Sequence, residues 1–147
     1  MENRFLFRGK RIDNGEWVKG TLIRSNDAEV GYEAIIIPTN DSNMYTKGGS
    51  RGDLGFENWH RVNETTICQC TGLKDKNGKL IFENDIFSWH IDVAFPEDET
   101  RKRVVWHENG WCTNELRCDD YEELDDFDSE NFEVIGNMID NPELLEV

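Results

Sequence analysis

Three Asn-Gly pairs constrain this chain more than any other feature: Asn14-Gly15, Asn77-Gly78 and Asn109-Gly110. Each lies between runs of strand-forming residues. Asn-Gly in that setting is the strongest short-range hairpin signal, because both residues tolerate the positive φ of a tight turn. Three hairpins predict a mainly β chain. The central one is the most fully specified: Asp75-Lys76-Asn77-Gly78 suits a type I turn with Asp first and Gly in the left-handed position. Asn77-Gly78 also fits the centre of a type I′ turn. A second sharp turn follows at Glu83-Asn84-Asp85-Ile86, before a new strand that starts with Ile86-Phe87-Ser88-Trp89.

Period-2 patterning places strands around these turns. Phe5 and Phe7 alternate with Arg4, Leu6 and Arg8, and residues 17–23 return as a second strand in which Gly20 marks a bulge or a close backbone approach. Residues 24–31 read as an irregular connection. Ala34-Ile35-Ile36-Ile37, stopped by Pro38, reads as a strand buried on both faces. Residues 39–55, with four glycines, read as a mobile loop, and residues 56–62 as a strand. Asn63 caps a turn over Glu64-Thr65-Thr66, dividing an N-terminal β unit (1–62) from a C-terminal one (63–147). Residues 97–100 read as a charged turn before the strand that leads to the third hairpin. Helix is scarce: residues 119–127 make one or two acidic turns, and Asn141-Pro142-Glu143-Leu144-Leu145 makes a short C-terminal helical turn, with Pro at its first position.

The central stretch, Gln69-Cys70-Thr71-Gly72-Leu73-Lys74-Asp75-Lys76-Asn77-Gly78-Lys79, resembles the Q-Y-T-G-L-x-D-x-N-G-K signature of the YopX family of phage and prophage proteins. Glu83-Asn84-Asp85-Ile86 is similar to that family's E-G-D-I. The stretch from Arg8 through Asn14-Gly15-Glu16-Trp17 to Gly20 resembles its N-terminal pattern. Val134-Ile135-Gly136-Asn137 with Asn141-Pro142-Glu143-Leu144-Leu145 resembles its C-terminal one. Residues 24–58 and 90–130 lie outside the likeness. Two positions depart from it. Cys70 stands where the family has Tyr, and Asn84 where it has Gly; Asn is the non-Gly residue best able to keep a positive φ. The resemblance implies a small SH3-like β-barrel or roll in the C-terminal half, packed with an N-terminal β-hairpin unit. The family brings no catalytic site with it.

Net charge is −15 and unevenly placed: between Glu115 and Glu133 ten acidic residues face one base, Arg117. Such a balance disfavours direct nucleic-acid binding, where affinity comes from neutralised phosphates, and leaves a basic protein as a fitting partner. Asp119, Asp120, Glu122, Glu123, Asp125, Asp126 and Asp128 are the candidate binding residues. Tyr121, Leu124 and Phe127 sit three apart among them, a spacing that lines one buried helix face. No apolar run approaches the ~18 residues of a membrane helix, and Met1-Glu2-Asn3-Arg4 does not begin a signal peptide. A cytoplasmic protein of the bacterial host is expected.

Cys68, Cys70, Cys112 and Cys118 are spaced C-x-C and C-x₅-C, unlike zinc pairs. Cys68 and Cys70 share one face of a strand as small apolar fillers. His60, His90 and His107 each follow a Trp, so burial of that Trp would turn the His toward solvent. Three such histidines meeting around a metal would make a hydrolase, but none has ligand spacing to another, and no nucleophile or phosphate-loop motif is present. No catalytic residue, metal or cofactor is expected. The structural turn residues are Asn14, Gly15, Asn77, Gly78, Asn84, Asp85, Asn109 and Gly110. The leading reading is a non-enzymatic interaction module of phage or prophage origin, binding a protein partner or itself. The alternatives are an acidic nucleic-acid mimic that occupies a basic host protein, and the metal-assisted hydrolase.

Overall fold

The computed structural model describes residues 5–27, 31–39, 44–47, 53–56, 58–90 and 99–146. They form two compact units, residues 5–69 and 70–147, which are described in turn. Both are built almost entirely of antiparallel strands.

In the first unit β1 (Phe7–Lys10) pairs with β2 (Trp17–Asp27), and β2 with β3 (Gly31–Pro38). β4 (Met44–Lys47) and β5 (Asp53–Phe56) make a separate two-stranded ladder, and the short β6 (His60–Arg61) pairs with β3. The other edge of β1 pairs with the start of β7 (Cys68–Lys74). The first Asn-Gly hairpin forms as expected. Gly15 takes a φ of 71°, the Arg11 N–H donates to the Glu16 carbonyl at 2.9 Å, and the Asn14 side chain accepts from the Glu16 N–H at 2.9 Å.

Two expectations for this unit fail. Residues 24–27 and 31 are not an irregular connection, because the β2–β3 ladder continues to Asp27↔Gly31; residues 28–30 lie outside the described residues. Polar Arg24 and Ser25 are both exposed, and an antiparallel ladder tolerates water beside it. Within the expected loop 39–55, residues 44–47 and 53–55 belong to β4 and β5; residues 40–43 and 48–52 lie outside the described residues. Gly20 marks a close approach: a Cβ there would stand 2.0 Å from the Ile37 carbonyl oxygen. Ala34, Ile36 and Val62 form the core, with Phe7, Val18, Leu22 and Ile67 packed against it. Asn63 caps the 3₁₀ turn Glu64–Thr66, its Oδ1 accepting from the Thr65 N–H at 3.1 Å. Cys68 and Cys70 are both fully buried.

In the second unit the remainder of β7 pairs with β8 (Leu80–Phe82), with a register slip between Cys70 and Lys74 where Gly72 takes a φ of 88°. The turn between them is the type I alternative: the Gly78 N–H donates to the Asp75 carbonyl at 3.0 Å, and Gly78 is left-handed at φ 80°. Asn84 keeps a φ of 70°. Beyond it come β9 (Asp85–His90), β10 (Glu99–His107), β11 (Gly110–Asn114), β12 (Glu122–Glu123), α1 (Asp126–Asn131) and β13 (Glu133–Asn137). Glu99 and Thr100, expected in a turn, already belong to β10.

The five-stranded sheet runs β12-β11-β10-β9-β13 and is open, with β12 and β13 as its edges. The SH3-like barrel expected over 63–147 is therefore not formed as a closed sheet among the described residues. Ile81, Phe87, Val104, Leu124, Phe132 and Val134 make the core, with Phe87 stacked on Phe132 at 4.2 Å. A 3₁₀ turn, Pro142–Leu145, closes the chain as the short helical turn expected. The Asn141 side chain does not cap it; it accepts instead from the Asn137 N–H at 3.3 Å.

The third hairpin forms, but its turn is displaced by one residue. His107 pairs with Gly110, so Glu108 and Asn109 are the loop. The left-handed residue is Glu108, at φ 58°. A loop of Asn109-Gly110 would pair Glu108 with Trp111 and shift β11 by two residues along β10, which keeps each side chain on its face but moves the buried Thr113 from opposite Val104 to opposite Trp106.

Candidate functional site

The chain's signature stretch holds backbone in place. Asp75, first residue of the central turn, is buried. Its Oδ1 accepts from the N–H groups of Asn77 and Lys79, each at 2.9 Å, and its Oδ2 from the Val134 N–H at 2.9 Å. The Lys76 N–H adds a bond to the Phe132 carbonyl at 2.9 Å. One carboxylate thus ties the turn to itself and to β13. Asp85 is buried too, its Oδ2 accepting from the Phe82 N–H at 2.8 Å. Asn84 bridges outward through its backbone, donating to the Val104 carbonyl and accepting from the Met138 N–H, each at 2.8 Å. At the C-terminal motif, a Cβ on Gly136 would stand 2.6 Å from Asn141 Oδ1. Asn137 Oδ1 accepts from the N–H groups of Ile139 at 3.0 Å and Asp140 at 2.8 Å. The role of Asp75 was missed in the sequence; its one local signal was Asp at the first position of a turn.

The histidines are dispersed. His60 lies in the first unit and His90 and His107 in the second. His90 pairs with Glu99 at one end of β10 and His107 closes the other end, about 26 Å apart at the rise of a strand. Two of the three tryptophans whose burial would turn a histidine outward are themselves exposed: Trp59 at 53% and Trp106 at 52%. Only Trp89 packs against the core. His107 lies flat on Tyr121, ring centroids 3.7 Å apart. Among the described residues no group of three His, Cys, Asp or Glu is placed to hold a metal ion.

The acidic candidates lie along one stretch of the second unit with defined backbone. Asp119 and Asp120 are exposed before β12. Glu122 and Glu123 are β12 itself, held to β11 through Thr113↔Glu122 and Cys112↔Glu123. Glu122 meets Lys102 Nζ at 2.8 Å. Asp125 caps α1, its side chain accepting from the Asp128 N–H at 2.8 Å within a capping box. Asp126 and Asp128 fall in the first helical turn, where the helix dipole favours carboxylates. Burial, foremost, raises the Asp128 pKa. The hydrogen bond with Asp125 opposes this, the charges of Asp125 and Glu122 add to it, and Lys102 lowers it.

The helix expected over 119–127 is corrected by this geometry. Pairing with β11 draws Glu122 and Glu123 into extended backbone, so the three-residue spacing of Tyr121 and Leu124 never falls on a helix. Leu124 is buried as expected, but Tyr121 is 38% exposed; the side chain of Phe127 lies outside the described residues.

Comparisons with known proteins agree with this architecture. A family model, YopX, described as YopX protein, matches residues 6–146, nearly the whole chain. A solved structure, the crystal structure of protein EF1440 from Enterococcus faecalis, is similar in fold, with a TM-score of 0.63 and 23% identity over 95% of this chain and 96% of that one. No curated protein matches. Among the described residues no helix is long and apolar enough to cross a membrane.

Proposed function

We propose that this chain, which belongs to the YopX family, is a non-enzymatic interaction module of phage or prophage origin whose acidic edge docks a basic protein. The observation that supports this reading is order. Glu122 and Glu123 are set on a paired strand, β12, and Asp125, Asp126 and Asp128 on the cap and first turn of α1. Fixed charges present one pattern to a partner, whereas a solvated tail averages over many. Lys102 meets this edge at Glu122. A basic surface that normally receives phosphates is the natural complement, which makes mimicry of nucleic acid the specific form of the proposal.

The test is the triple variant Asp125→Asn, Asp126→Asn, Asp128→Asn. Asn caps helices as well as Asp does, and neutralising Asp128 relieves a carboxylate that burial disfavours. The fold is therefore expected to persist or to become slightly more stable, while capture of basic host proteins falls and loses its salt dependence. Equal capture by both proteins at low and high salt would refute the acidic edge and leave a module acting through another surface.

A further inference from the structure

We infer that a cleft beside the tip of the β10–β11 hairpin receives an arginine side chain of a protein partner. This rests on the reading that the partner is basic, and it adds where that partner is gripped and by which group. The cleft has a volume of about 580 Å³. It is lined by His107, Glu108, Trp111 and Cys112 of the hairpin and by Tyr121 and Glu123 of the segment that follows. Leu73 and Leu124 add an apolar contribution.

Three features select the ligand. The first is aromatic surface. The rings of His107 and Tyr121 are parallel to within 1°, and Trp111 is braced edge-on by Trp106 at 5.0 Å. Braced aromatic faces attract cations, and the flat, weakly hydrated guanidinium stacks on them better than an ammonium does.

The second feature is charge. Glu108 and Glu123 line the cleft, and among the described residues no Lys or Arg does. Glu108 has a weak contact with His107 Nε2 at 3.8 Å, and Glu123 makes no ion pair among the described residues. Their field reaches the cleft wall: burial first, then the charges of Glu123 and Glu108, raise the Cys112 thiol above its ordinary 9.0. Cys112 is thereby kept a neutral thiol, and the charge of the site is that of the two carboxylates. A guanidinium can fork to a carboxylate while its face lies on a ring.

The third feature is size. A cleft of about 580 Å³ holds more than one side chain, so the arginine would enter with adjoining peptide, as a protein partner delivers it.

The experiment titrates isotope-labelled protein with Nα-acetyl-arginine amide, and in parallel with the lysine and norleucine analogues, following amide and Trp indole resonances by NMR. Saturable shifts confined to residues 107–112 and 121–124 are expected with the arginine compound, which should bind more tightly than the lysine one. Glu123→Gln should weaken it about tenfold, the loss of one charge-assisted hydrogen bond. Tyr121→Ala should weaken it about threefold, the loss of one exposed cation–π contact. Both residues are exposed, so the remaining spectrum reports an intact fold. Norleucine binding as well as arginine, lysine matching arginine, or Glu123→Gln binding unchanged would each overturn the inference. The Asp125, Asp126, Asp128 triple variant separates the two readings. If it captures partners undiminished while the arginine compound still shifts the cleft, the acidic edge fails and the cleft stands. If capture falls in that variant while the compound leaves the cleft resonances still, the cleft fails alone.

Discussion

Replacing Asp75 should damage the second unit far more than its place in an exposed turn suggests. Its neighbours Lys76, Asn77, Gly78 and Lys79 are all exposed, yet the Asp75 side chain is buried and holds three N–H groups. In Asp75→Asn the amide oxygen keeps the bonds to Asn77 and Lys79, and the new NH₂ faces the Val134 N–H, donor against donor. A buried donor left without an acceptor costs about 1–3 kcal/mol, so about 2 kcal/mol is expected. Asp75→Ala also loses the two turn bonds. Water can reach those amides, so each loss costs about 1 kcal/mol, bringing the total to about 4 kcal/mol. At ~2–4 °C per kcal/mol for a chain of this size, melting should fall by about 4–8 °C for Asn and roughly twice that for Ala. Thermal or urea unfolding followed by Trp fluorescence measures both. The two variants separate the bonds: equal losses would assign everything to Val134, and a midpoint unmoved in either would refute the idea that this carboxylate holds the turn to β13.

Four further outcomes follow from the backbone and from one ion pair. Gly78→Val should cost about 1–2 kcal/mol because φ is 80° and no neighbouring atom lies within 4 Å of the added Cβ, leaving backbone strain as the cause; Gly110→Ala, with equally open space and no left-handed φ, should leave the melting temperature unchanged. Glu108→Gly should stabilise by about 0.5 kcal/mol, since it removes a left-handed non-Gly residue and gives part of the gain back as unfolded-chain entropy. Arg101 first, and then the Ser88 hydroxyl, hold the Glu99 carboxyl below its ordinary 4.5. That stabilisation is present above the unfolded value and lost as pH falls through the folded one, so Glu99→Gln should flatten part of the acid limb of a stability–pH curve.

The left-handed turn residues and one buried strand face were legible locally. Gly15, Gly78 and Asn84 are left-handed because their turns demand it, and short-range chemistry selects Gly or Asn for that. Cys68 and Cys70 share a buried face because a strand alternates. The failures share a different cause. The displaced third turn follows the β10–β11 register, which sets Thr113 opposite Val104 and Trp111 opposite Trp106, a pairing that Asn109-Gly110 alone does not specify. Burial of Trp59 and Trp106 was the premise for turning their histidines outward, but both are more than half exposed. The expected helix over 119–127 lost to a two-residue pairing with β11, a contact between segments that sequence spacing does not reveal. The acidic residues were identified by composition, whereas the cleft beside them joins a hairpin tip, β7 and the β12 edge, and composition cannot join those.

The distribution of these features along the chain bears on what the family signature is for. Its carboxylates and glycines answer to backbone needs: Asp75 accepts from Val134, Asp85 from Phe82, Asn84 joins Val104 to Met138, and Gly136 makes room for Asn141. The buried Asp75 carboxylate, already accepting three N–H bonds, has little capacity left for a substrate. The acidic edge and most of the cleft lie in residues 99–130, outside the signature; Thr71 and Leu73 are the signature residues that line the cleft. Such a division suits a scaffold whose fixed turns present an interchangeable surface. It makes a specific demand on other members that carry Asp75, Gly78 and Asp85. They should reproduce the β7–β8 turn and the open sheet even where nothing matches Glu108, Tyr121 and Glu123, and such members should fold alike yet show no affinity for the arginine compound. A member lacking those three residues that nevertheless bound it at the same hairpin would place recognition in the frame itself, and the separation of scaffold from surface would fail.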